Sequence, residues 1–168
     1  RIGSGTGGDV SFLQSVDGAL RNQDTVTAAG NAFIGKVARP SGSGLYATVQ
    51  LWNPDGSGVL ALIDKILITF NTAQLGNFDR HDTALATLET APVNNDSTGP
   101  ATNIEVRSSA PGTKVTTSDP CFATMAYESL LLTYEYPVIL RADEGYIFYP
   151  KTTDISIKAT FFYRELTP

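Results

Sequence analysis

Among 168 residues there is one Cys, one His, one Met and one Trp. A single thiol excludes a disulfide framework within the chain, and with one imidazole it excludes a Cys/His zinc site. Basic residues are short as well: 12 Lys and Arg stand against 17 Asp and Glu, a formal net charge of −5. That balance argues against a groove that neutralises many phosphates, so nucleic acid is not an expected partner. Charged residues make up only 17% of the chain and hydrophobic ones 42%, which excludes disorder for most of it. No run of about 18 apolar residues occurs, so a spanning helix is removed and a soluble chain, with no membrane partner, is expected.

Polarity comes instead from Thr, Ser, Asn and Gly. A chain of this length makes one domain, able to bury about 70% of its unfolded surface. Residues 3–8 read Gly-Ser-Gly-Thr-Gly-Gly. Gly3, Gly5 and Gly8 have the spacing of a phosphate-cradling loop, but such a loop follows a strand and opens a helix, and only two residues precede this one. Residues 9–31 hold scattered apolar positions (Val10, Phe12, Leu13, Val16, Leu20, Val26) with no sustained period. Residues 1–31 are therefore expected to be a flexible or extended arm, and 32–168 the folded domain.

From Ala32 the pattern is one of strands punctuated by turns. Leu45, Ala47, Val49 and Leu51 alternate with Tyr46, Thr48, Gln50 and Trp52, the period of two that sends one set to a buried face. Asn53-Pro54-Asp55-Gly56-Ser57-Gly58 stops that strand. Val59 to Phe70 is apolar almost throughout, and its β-branched Ile63, Ile66, Ile68 and Thr69 favour a central strand over a helix. Asn71 to Gly76 reads as a turn-rich break, Asp79 to Leu88 as an unevenly patterned strand or short helix, and 91–103 as an exposed loop. A short strand is expected at Ile104 to Ser108. Ser129 to Tyr136 and Val138 to Arg141 are strand-rich, with Pro137 forcing a bend, an edge or a bulge between them. Tyr146 to Tyr149 follows a tight turn at Ala142 to Gly145, and Ile155 to Tyr163 alternates most clearly of all. About eight strands and no long helix predict an all-β fold: an antiparallel β-sandwich of jelly-roll type.

Candidate chemistry is sparse. His81, inside Asp79-Arg80-His81-Asp82, is the one imidazole that could serve a nucleophile, and its flanking charges favour a solvated or hydrogen-bonded surface group. Cys121 is read as an apolar interior thiol. Asp143-Glu144 and Asp79 with Asp82 are the conspicuous carboxylate pairs, but adjacent side chains point to different sides, so a hydrated turn is preferred over acid/base work on a sugar. Asn53 and Asp55 with their glycine-rich turn offer oxygens for calcium without the acidic spacing of a calcium loop. Asn95-Asp96-Ser97 matches the N-glycosylation pattern. Trp52, Tyr46, Tyr134, Tyr136, Tyr146, Tyr149 and Tyr163 are read as packing residues before a sugar-binding surface. No catalytic, cofactor-binding or metal-ligating residue is assigned.

Ala32-Phe33-Ile34-Gly35-Lys36-Val37, then Gly44 through Pro54, Gly56-Ser57-Gly58 and Leu62-Ile63-Asp64-Lys65-Ile66 follow in one order. Pro137-Val138-Ile139-Leu140, Glu144-Gly145-Tyr146 and Phe161-Phe162-Tyr163-Arg164-Glu165 complete it. That succession, from Ala32 to Glu165, resembles small β-rich structural proteins of tailed bacteriophage virions. The resemblance implies a non-enzymatic part of a virion, serving in capsid decoration, the neck, or a tail, baseplate or fibre. Its partners would be copies of itself and other virion proteins, as a homo-oligomer. The turns around Asp55 and Asn95 and the arm near Phe12 are the regions expected to make contacts. The alternative is a carbohydrate-binding β-sandwich that recognises host glycans, and a hydrolase of the same fold is a third reading.

Overall fold

The computed structural model describes residues 31–115, 120–122 and 127–167, and the expected arm, apart from Asn31, lies outside them. Eleven strands follow in order: β1 Ala32–Arg39, β2 Thr48–Asn53, β3 Leu60–Gln74, β4 Gly76–His81, β5 Thr87–Leu88, β6 Val93–Asn94, β7 Glu105–Ser109, β8 Pro120–Phe122, β9 Tyr127–Leu140, β10 Glu144–Pro150 and β11 Ile157–Leu166. They form two sheets, β6-β1-β11-β3-β9 and β5-β7-β2-β10-β4-β8. All their ladders are antiparallel. The fold is an antiparallel β-sandwich.

One hydrophobic core lies between the sheets. Phe33, Val37, Ile63, Ile66, Ile68, Ile157, Phe161 and Tyr163 enter it from the five-stranded sheet, and Val49, Leu51, Phe78, Val106, Tyr146 and Phe148 from the six-stranded one. Ring contacts tie it together, with Phe33 stacked on Tyr163 at 5.5 Å and Phe78 against Phe148 at 4.3 Å between centroids. Period-two alternation does this locally. In β11, Ile157, Ala159, Phe161 and Tyr163 are buried while Lys158 on the opposite face is exposed, as a half-buried strand requires.

Four expectations change. β3 does not break at Asn71 but runs to Gln74, because Phe70 still pairs with Ile157 and Gln74 with Tyr127. The ladder bonds backbone groups, so polar side chains at a strand's end do not stop it. The segment 79–88 is neither one strand nor a helix: β4 ends at His81, a bend follows, and β5 is a two-residue strand. The loop 91–103 contains β6, which pairs Val93 and Asn94 with β1. Finally, Pro137 makes the expected bulge and edge, but inside one strand rather than between two. It lies within β9, where Tyr134 to Pro137 face only Asp64 of β3, between the pairs Ile63–Val138 and Lys65–Thr133. Pro137 thus sits at a bulge of an edge strand, the position its missing N–H permits.

Candidate functional site

The sequence singled out residues that the fold scatters. His81 closes β4, where its Nδ1 lies 2.5 Å from the Thr83 carbonyl oxygen, so Nδ1 carries the proton and donates. Asp79 is 1% exposed and accepts a 2.6 Å hydrogen bond from the Tyr149 hydroxyl. Burial foremost, and then that bond to Asp79, pushes the Tyr149 hydroxyl pKa up. Asp82 sits exposed at the bend and accepts from the Thr83 hydroxyl.

Asn53 is an interior clamp. Its Nδ2 donates to the carbonyls of Val59 at 2.8 Å and Leu140 at 3.0 Å, tying the six-stranded sheet to the end of β9. Asp55 stays exposed in the turn. The pair Asp143-Glu144 is a turn in which Asp143 takes a positive φ of 59°. Glu144 accepts from the Arg141 backbone at 2.8 Å and from Arg80 at 3.2 Å, while Arg80 also donates to the Ile139 carbonyl. Asn95-Asp96-Ser97 lies in a turn where Asp96 accepts from Thr98, and those bonds lower the Asp96 carboxyl pKa. The side chain of Cys121 lies outside the described residues. Among the described residues, no three His, Cys, Asp or Glu groups converge as a metal site.

The aromatic residues divide cleanly. Trp52, Tyr146, Tyr149 and Tyr163 are buried. Tyr134 packs against the core, with its hydroxyl 3.3 Å from that of Tyr146. Tyr46 is half-buried beneath the Lys114 ammonium, 5.6 Å from its ring centre. Tyr136 is 81% exposed, at the bulge of β9.

That bulge borders an open surface groove. Asp64 is passed over in the pairing with β11 as well, where Phe162 pairs with Lys65 and Tyr163 with Ile63. Freed from both ladders, Asp64 takes a bidentate bond from Arg164, at 2.8 Å to Nε and 2.7 Å to Nη2. These bonds raise the pKa of the guanidinium, against a smaller opposing effect of burial. Around the pair lies an open groove of about 550 Å³, lined among others by Lys65, Asn95, Thr133, Glu135 and Phe162. Both oxygens of Asp64 accept from Arg164, and Glu135 is the other carboxylate in the lining of the groove.

Beside the groove runs the edge of β9. Its inward residues Leu130 and Leu132 pack against the core, whereas Leu131 is 58% exposed and Ile139 39%. Leu131 pairs across the ladder with Leu67, which is also exposed. Sequence reasoning missed this placement, because Leu130-Leu131-Leu132 is an unbroken apolar run that does not declare which residue faces water. Pro137 was the one local signal of an edge. The chain matches no family model, no curated protein and no solved structure.

Proposed function

We propose that the chain is a non-enzymatic structural protein of a tailed phage virion that assembles through protein–protein contacts with itself and with other virion proteins. Capsid decoration, neck and tail, baseplate or fibre positions all fit this reading, and residues 1–31 serve it as an arm. The observation that carries the assembly part is the edge of β9, which has no strand on its outer side among the described residues, with its exposed leucine. Monomeric sheets normally blunt or cover such an edge, and the bulge and Pro137 blunt this one only over 134–137, leaving the straight stretch Ser129 to Thr133. The phage part rests on the resemblance across Ala32 to Glu165. The strand order adds support for a jelly roll: β1-β11-β3-β9 faces β2-β10-β4-β8, and β1 through β4 and β8 through β11 step alternately between the sheets, the pattern of two Greek keys wound together.

The test is to locate the chain in a reconstruction of the particle encoded alongside it. Density for the sandwich at a repeated position is the expected result, and its absence from purified particles overturns the reading. Deleting residues 1–31 should leave a folded domain that no longer incorporates, and unimpaired incorporation removes the arm. One feature favours the glycan reading as second: Tyr136 projects beside a groove lined by hydrogen-bonding side chains. A glycan array that responds to the protein and loses the response in Tyr136→Ala would support it.

A further inference from the structure

The strands at the other sheet edges are short: β6 and β5 have two residues each and β8 three. β9 has 14 residues and, among the described residues, no strand on its outer side. We propose that this edge pairs with the same edge of a second copy of this chain, antiparallel about a two-fold axis at Leu131. The two five-stranded sheets then become one sheet of ten. The inference deepens the assembly reading and rests on it, by naming the partner and the surface.

Register selects Leu131. The unbroken ladder between β9 and β3 spans Ser129 to Thr133, paired with Thr69 to Lys65, and Leu131 is its midpoint. The bulge at Tyr134 ends the regular stretch on one side and a second irregularity ends it before Tyr127 on the other. Pairing about Leu131 places Ser129 opposite Thr133, Leu130 opposite Leu132 and Leu131 opposite its own copy. Because strand side chains alternate, this register sets inward leucines against inward leucines and continues the core across the junction. A slip by one residue would set core-facing positions against solvent-facing ones.

The chemistry agrees with that register. On the outer face, Leu67 and Leu131 of one copy would meet Leu131 and Leu67 of the other, a four-leucine strip replacing two exposed pairs. Ser129 and Thr133 match hydroxyl to hydroxyl across the junction. No charge lies within 129–133, the stretch that pairs. A self-complementary patch of this kind closes as a two-fold dimer, the commonest symmetric assembly.

Sedimentation of the full chain across concentration should show a monomer–dimer equilibrium. Leu131→Lys sets two ammonium groups face to face and should weaken dimerisation at least about tenfold, with an unchanged circular dichroism spectrum because the residue is exposed. In a Cys121→Ser background, Leu131→Cys should be joined to its own copy by a short thiol-reactive crosslinker, while Leu88→Cys on the other sheet should not. A chain that stays monomeric and yields no crosslink at position 131 overturns the proposal. So does an oligomer indifferent to Leu131→Lys, which leaves the assembly reading standing. Absence from particles despite an intact, Leu131-dependent dimer overturns the phage reading alone.

Discussion

On the six-stranded sheet, the solvent-side residues Thr48, Gln50 and Trp52 of β2 are as buried as Val49 and Leu51 on its core side. On the five-stranded sheet, Lys36, Lys65 and Lys158 stand in water on the outer face and the core residues are confined to the inner one. The difference comes from loops. The bend after β4 folds back over β2 and β10, and Leu85 joins Ile147 and Tyr149 in a second, smaller cluster with Val115 alongside. Gln50 anchors that cover: its Nε2 donates to the Thr83 carbonyl at 3.0 Å and its Oε1 accepts from the Leu85 backbone at 2.8 Å. Arg107 holds the Leu85 carbonyl from the next strand. Gly145 belongs to the same arrangement, since a Cβ there would lie 2.4 Å from Gln50 Nε2 and 2.8 Å from the Trp52 ring. One sheet thus has its outer face covered by its own loops, and the other leaves its outer face exposed.

The strongest way to break this contrast is through the core that both sheets share. Phe161 is fully buried at the centre of β11, and Phe161→Ala should cost about 3–5 kcal/mol. Urea unfolding followed by tyrosine fluorescence and by circular dichroism should give one coincident transition. Two separated transitions would show that the sheets do not stand on a single core.

A smaller effect should fall on the covered sheet alone. Gln50→Leu leaves the Leu85 N–H without its partner in a buried setting, at about 1–3 kcal/mol, while the Thr83 carbonyl keeps its bond from His81. Amide exchange should quicken at Leu85 while the amides of β11 keep their protection relative to global stability. Uniform loosening of both sheets would remove the distinction between a self-covered and an open face.

The smallest effect is a pH dependence at the rim where the sheets meet. The Thr102 hydroxyl donates to Glu165 and accepts from the Ile104 backbone at 2.8 Å and the Tyr163 hydroxyl at 3.1 Å. Burial raises the Glu165 carboxyl pKa above its ordinary value of 4.5, against a smaller lowering by the Thr102 bond. In the window just above 4.5 the folded chain therefore binds more protons than the unfolded one, so this group's contribution falls as pH rises through the folded pKa. The difference in urea midpoint between Glu165→Gln and the parent should change across that window. A constant difference would exclude the linkage.

Much of the sandwich was legible because alternation survives wherever one face meets water, as in β11. It fails in β2 and β10, where loops bury both faces and the polar Gln50 is satisfied by a loop backbone that no local pattern announces. Asp79 disturbed the reading of β4 for the same reason: its partner Tyr149 is distant in sequence and adjacent only through the pairing of β4 with β10. The groove was hidden differently. Asp64 and Arg164 were both in view, but the bulge that frees Asp64 depends on how three strands are aligned, which no single segment encodes.

The four residues of β9 that bow out around Asp64 also bear on how far any association can spread. Once the straight part of that margin is taken by a companion, the far rim of the joined sheets is β6, which pairs with only Phe33 and Ile34 of β1, so a third molecule would meet a short and interrupted edge. Growth would stop at a pair, and a surface that invites fibres elsewhere would yield a finite building block.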